Sequence, residues 1–131
     1  MEPRFIFVVA VGGACGSVTR YLVAIGSARL FGPQLPLQFP WGTLIINITG
    51  SALIGALAGL FATRWDVSQT ARIFLTVGIC GGYTTFSTFS LDAWHLLERG
   101  QAAASITYML SSVILSLAAL IGALHLVRAL G

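Results

Sequence analysis

Four apolar stretches follow one another along the chain, separated by short polar breaks. They cover residues of about 5–26, 41–63, 71–96 and 103–127. Each is long enough to cross a bilayer, which takes about 20 residues of helix. Between the first and second lies ARLFGPQLPLQFP, whose three prolines predict a loop. RWDVSQT forms the second connection, and HLLERGQ closes the third stretch. Trp41, Trp65 and Trp94 fall at stretch ends, where indole rings favour the headgroup level. The run after Arg4 is interrupted by glycines and followed by no A-x-A cleavage signal, so it reads as a first span and not as a signal peptide. The pattern predicts an all-α membrane protein with four transmembrane helices, forming one domain over residues 1–131.

The polar positions inside these stretches are not scattered. In the second, Thr43, Asn47, Ser51, Gly55 and Gly59 recur every four residues, with Gly50 beside them. One face is therefore small and polar, and the other is leucine and isoleucine. Small faces let membrane helices approach closely, which accounts for the glycines. Asn47 is different, because an amide in hydrocarbon needs a partner, and its two N–H donors make it a functional candidate. In the fourth stretch Ser105, Tyr108, Ser112 and Ser116 share one helical face, with Ser111 off to the side. A serine alone often bonds to its own backbone; this aligned row points to a hydrophilic track. In the first, Gly12 and Gly16 suit close packing, and Arg20 suits either snorkelling to the interface or lining a water-filled mouth.

The third stretch carries GGYTTFSTFS at residues 81–90, dense in hydroxyl groups and without charge. Gly78, Gly81 and Gly82, followed by Thr84 and Thr85, make a poor continuous helix. A break near Gly81–Thr84 would free backbone carbonyls, which inside a bilayer must face a cavity, a partner or an ion. Carbonyls are hard oxygen ligands, so the break suits a bound cation.

Composition narrows the class. The chain is 56% hydrophobic and 8% charged, against about a quarter charged in a soluble domain. All seven basic residues are arginines, placed singly at the stretch edges, which excludes a nucleic-acid footprint. Cys15 and Cys80 lie in apolar runs and read as packing residues. No metal-spaced cluster or catalytic constellation is present, so an enzyme is not expected. Arg4, Arg64, Arg72 and Arg128 would share one side of the membrane, and Arg20, Arg29 and Arg99 the other. Four against three is nearly no bias. The charge pattern leaves open whether Arg4 decides the orientation or the chain inserts both ways.

GGACGSVTRY, FPWGTLIINITGS and GICGGYTTFSTFSLD together resemble the Fluc (CrcB) family of fluoride channels, in order and over essentially the whole chain. The resemblance implies a multi-pass protein of the bacterial inner membrane that lets fluoride leave the cytoplasm passively. It implies an antiparallel, dual-topology homodimer with two pores along the subunit interface. It implies a structural sodium ion held by backbone carbonyls, here of Gly81 and Thr84. The pore positions it implies are Asn47, Phe86, Phe89, Tyr108, Ser112 and Ser116, with Thr85 and Thr88 of the hydroxyl run, and Arg20 in the vestibule. Asp92 stands where the family pattern carries a glutamate.

Elementary chemistry agrees with that implication. Fluoride is small and strongly hydrated, so a path for it must replace water with donors. Hydroxyls and an amide donate without the fixed charge that would hold the ion too tightly to release it. Phenylalanine ring edges are positive through the quadrupole. A proton-coupled transporter of the small multidrug type would need an intramembrane carboxylate, and Asp92, near a span end, is the one candidate. A non-conducting assembly factor would explain the small faces but not Asn47 or the aligned hydroxyls.

Overall fold

The computed structural model describes residues 2–32, 39–64 and 66–131. Among these there is no strand. The first helix, α1 (Pro3–Phe31), opens with Pro3 in its first turn, where the missing N–H costs nothing. It runs five residues past the expected end at 26, because Leu30 and Phe31 keep it apolar, and stops at Gly32, with φ 87°. Residues 33–38 of the proline-rich loop, and Trp65, lie outside the described residues. Helix α2 (Trp41–Thr63) matches the second stretch. Helix α6 (Ala102–Leu130) covers the fourth with small extensions.

The third stretch is broken. It begins as α3 (Gln69–Ile73), where Ser68 caps the start by accepting from the Ala71 N–H at 3.2 Å. It continues as a π-helical segment (Phe74–Cys80) and a last turn, α4 (Gly81–Tyr83). The chain then turns extended at Thr84, with ψ 162°, and resumes as α5 (Ser87–Glu98). The break thus falls just after the glycines expected to cause it. Gly78 and Gly82 stay helical in close contact with Gly12 and Gly13 of α1. A Cβ on Gly16 of α1 would run into the Ile79 carbonyl oxygen and come within 2.8 Å of the Tyr83 nitrogen. Only backbone fits there, so α1 lies against the π-helical segment and α4 at close range.

Helix α5 ends in a hydrogen-bonded reversal. The Gly100 N–H donates to Leu97 O at 3.0 Å and the Gln101 N–H to Leu96 O at 2.9 Å, with Gly100 at φ 75°. This turns α6 back along α5, and α6 then packs along α2. Leu44, Ala93, Leu96 and Tyr108 form the buried cluster at that end, with Phe39, Ile48 and Phe89 against it. The Ser105 hydroxyl donates to Ala93 O at 2.8 Å and pins α6 to α5.

Among the described residues, α1, α2 and α6 are each long and apolar enough to cross a membrane. Exposed leucine, isoleucine and valine side chains dominate their outer faces. Cys80 is buried, as the sequence suggests; Cys15 instead faces outward.

Candidate functional site

The break opens onto a cleft of about 470 Å³ between α2, the broken segment and α6. Asn47 and Ser51 border it from α2, Gly81, Thr84, Thr85, Phe86 and Phe89 from the broken segment, and Ser112 and Ser116 from α6. No charged side chain is among the lining residues.

Breaking a helix leaves N–H and C=O groups without their i→i−4 partners. Side chains of α1 and α2 replace them. The Thr85 N–H, which a continuous helix would point at Gly81 O, donates to Asn47 Oδ1 at 2.9 Å. Asn47 Nδ2 in turn donates to Thr85 O at 2.9 Å. Arg20 Nη1 reaches Thr84 O at 3.2 Å, and Ser17 Oγ reaches Gly82 O at 3.4 Å. Just before the break, the Tyr83 hydroxyl pairs with Thr49 Oγ1 at 2.8 Å. Thr85 Oγ1 accepts from the Thr88 N–H at 3.2 Å and bonds the Thr88 hydroxyl at 3.1 Å, capping the start of α5.

The cleft wall also holds groups without partners. Ser112 Oγ and Ser116 Oγ are buried, and neither has a hydrogen-bond partner among the described residues. Two orphaned hydroxyls one helical turn apart are costly unless something polar occupies the space before them. Phe86 and Phe89 line the same cleft, with ring centroids 5.4 Å apart and planes at 47°. Phe86 is 78% exposed. Phe89 leans on Tyr108, 5.3 Å away.

Two expected pore positions, Tyr108 and Thr88, lie outside the cleft lining, as does Arg20, whose expected place is the vestibule. Tyr108 is fully buried (0% exposed) behind Phe89, and its hydroxyl donates to Asp92 Oδ2 at 3.2 Å, so it supports the ring and does not line the cleft. Thr88 is exposed and engaged with Thr85. Arg20 approaches the break from the α1 side, outside the lining. The hydroxyl row of α6 therefore divides, with Ser105 and Tyr108 in the packing and Ser112 and Ser116 on the cleft. Asn47 also departs from expectation, since one of its two N–H donors is committed to the Thr85 carbonyl.

Thr76 and Cys80 line the cleft too; the sequence pattern does not single out Thr76 and assigns Cys80 to packing. They stand at four-residue spacing with Thr84, a stripe legible in the sequence once residues 76–84 are taken as one helical run.

Fold and cleft together define a helical membrane protein with an uncharged, hydroxyl-lined recess at a helix break, an arrangement suited to a small polar solute or ion. The family described as CrcB-like protein, Camphor Resistance (CrcB), matches residues 7–124. A protein of Nitrobacter hamburgensis named fluoride-specific ion channel FluC 1 is 62% identical, over 99% of this chain and 100% of its own. A fluoride-specific ion channel FluC of Nitrobacter winogradskyi is 61% identical over 98% of each chain, and one of Agrobacterium fabrum is 53% identical over 94% and 95%. The chain belongs to the CrcB family and is a multi-pass membrane protein. It is accordingly not an enzyme.

Proposed function

We propose that this protein is a fluoride channel of the bacterial inner membrane, letting fluoride escape passively from the cytoplasm, and that the cleft is half of its permeation path. The observation that carries this is the pair of partnerless hydroxyls on Ser112 and Ser116, on the cleft that Phe86 and Phe89 also line. A dehydrated fluoride needs hydrogen-bond donors, and two free O–H groups on a cleft with aromatic rings offer them without charge. Thr85 and Asn47, which keeps one uncommitted N–H, line the same space. Thr88 and Tyr108 act behind it, through Thr85 and Phe89. Arg20 brings positive charge to the inner end of the vestibule while holding the break.

The broken segment is the fourth crossing in this reading, and a second, inverted copy closes the cleft. The exposed Phe86, Val113 and Leu117 along the cleft are the surface that copy would cover. Gly81 and Thr84 fit a sodium ion as half a site. The helical donor to Gly81 O is taken by Asn47, and Thr84 O keeps a second lone pair beside its bond to Arg20. Two carbonyls alone do not replace the hydration shell of an alkali cation, so the inverted copy would supply the rest. When bound, the ion supplies positive charge that does not titrate. Asp92 lies outside the cleft and is hydrogen-bonded by Tyr108, which leaves proton-coupled exchange without its carboxylate.

The test is anion efflux from liposomes holding the purified protein, with fluoride, chloride and an imposed proton gradient. Fast electrogenic loss of fluoride, with chloride retained and no proton requirement, is expected. Equal loss of both anions, or dependence on the proton gradient, removes the reading.

A further inference from the structure

Asn47 is held in a way that an ion ligand does not require. Its side-chain amide faces the Thr85 peptide, accepting on Oδ1 and donating from Nδ2, both at 2.9 Å. These are the two bonds that Thr85 loses where the helix breaks, one to Gly81 O and one from the Phe89 N–H. A primary amide presents a donor and an acceptor side by side, as a peptide unit does. An ionised carboxylate offers acceptors only, a hydroxyl is too short to span both, and a hydrocarbon offers neither.

We infer that Asn47 is a positioning residue, a side-chain stand-in for the missing peptide partner, which fixes where α5 begins and so where the Phe86 and Phe89 rings stand. The chain of contacts runs one way. With its backbone pinned from α2, Thr85 has its hydroxyl free to accept from the Thr88 N–H, which sets the first turn of α5. Phe86 and Phe89 flank that turn, 5.4 Å apart. Arg20 holds Thr84 O from the opposite side, so the peptide joining Thr84 to Thr85 is gripped at its C=O and its N–H by two different helices. Asn47 therefore reaches the ion path through Thr85 and the rings, with one N–H left over. The functional arm of this inference rests on the fluoride reading above; the structural arm does not.

Hydrogen exchange read by mass spectrometry on the reconstituted full-length protein, without fluoride, tests the structural arm. Asn47→Ala should exchange residues 84–90 roughly tenfold or more faster, the scale of two lost hydrogen bonds. Peptides of α1 and α6 should stay unchanged. Asn47→Asp keeps the acceptor for the Thr85 N–H and should fall between wild type and Asn47→Ala. Should Asn47→Ala fail to fold, the wild-type protein still decides. Labelled at its asparagine side chain, it should show one slowly exchanging and one fast Nδ2 proton. Unchanged exchange at 84–90 in a folded Asn47→Ala, or two equally fast side-chain protons, overturns the clamp. If both results hold but liposomes show no fluoride selectivity, the clamp stands and the channel reading falls.

Discussion

Ser112 and Ser116 give the sharpest case of chemistry without structural purpose. A hydroxyl that stabilised the bundle would be paired, as Ser105 is with Ala93 O. Removing an unpaired one costs nothing in hydrogen bonds. Ser112→Ala and Ser116→Ala are therefore expected to leave thermal stability unchanged or slightly raised, while fluoride flux falls by about tenfold, the effect of one lost ion contact. A drop in melting temperature with normal flux would mean that the hydroxyls serve packing. Phe86 makes the complementary case. Its ring is too exposed in one chain to hold the core together. Phe86→Ile should keep the protein folded on size-exclusion chromatography and lower flux sharply. Normal flux from that variant would reduce both rings to packing.

At the scale of elements, α1 and the broken segment touch backbone to backbone. Gly16→Ala would force a methyl onto the Ile79 carbonyl, at a cost of about 1–3 kcal/mol for an overpacked contact. Gly13 lies beside it on the same helix and has nothing within 4 Å of its would-be Cβ. Chemical or thermal denaturation should therefore find Gly16→Ala clearly weaker and Gly13→Ala near wild type; equal effects would contradict this packing. These contacts also show what the sequence could and could not tell. The spacing of Gly12 and Gly16, the stripe on α2 and the hydroxyl row on α6 were all legible, because helical periodicity places them on faces. The exact site of the break was not. Glycine is a weak helix former, but here close approach to α1 at Gly78 and Gly82 keeps the run helical, and the chain gives way at Thr84. Nor could spacing tell that Tyr108 would bury under Phe89 while Ser112, four residues on, met the cleft. That depends on where α5 crosses α6, which is a property of the packed bundle.

For the whole molecule, the decisive quantity is the arginine balance. With the four crossings proposed above, the arginines divide four against three, which gives little drive to a single orientation. The cleft stands open on one flank of the single chain, with Phe86 at its rim. Both observations suit pairing with an inverted copy. A reporter fused to the C-terminus should be found on both faces of the membrane in cells. Moving the balance by adding two lysines next to Arg4 should drive the population to one face and abolish flux; flux retained in a population of one orientation would exclude the antiparallel pair.

The π-helical segment at Phe74–Cys80 has a consequence for tolerance to change in length. A π turn closes its hydrogen bonds over five residues where an α turn closes them over four, so this stretch carries one residue of slack. A deletion there can be absorbed by reverting to ordinary α geometry, leaving both flanks in phase. Removing Val77, whose side chain faces outward, should still place Thr84 and Thr85 opposite Asn47. Removing Leu53 from α2, which has no such slack, would swing Asn47 by about 100° around its axis relative to Gly55 and Gly59. Flux within a few-fold of wild type for the first deletion, and none for the second, is the expected contrast; loss of both would show that the segment's phase is as rigid as that of its neighbours.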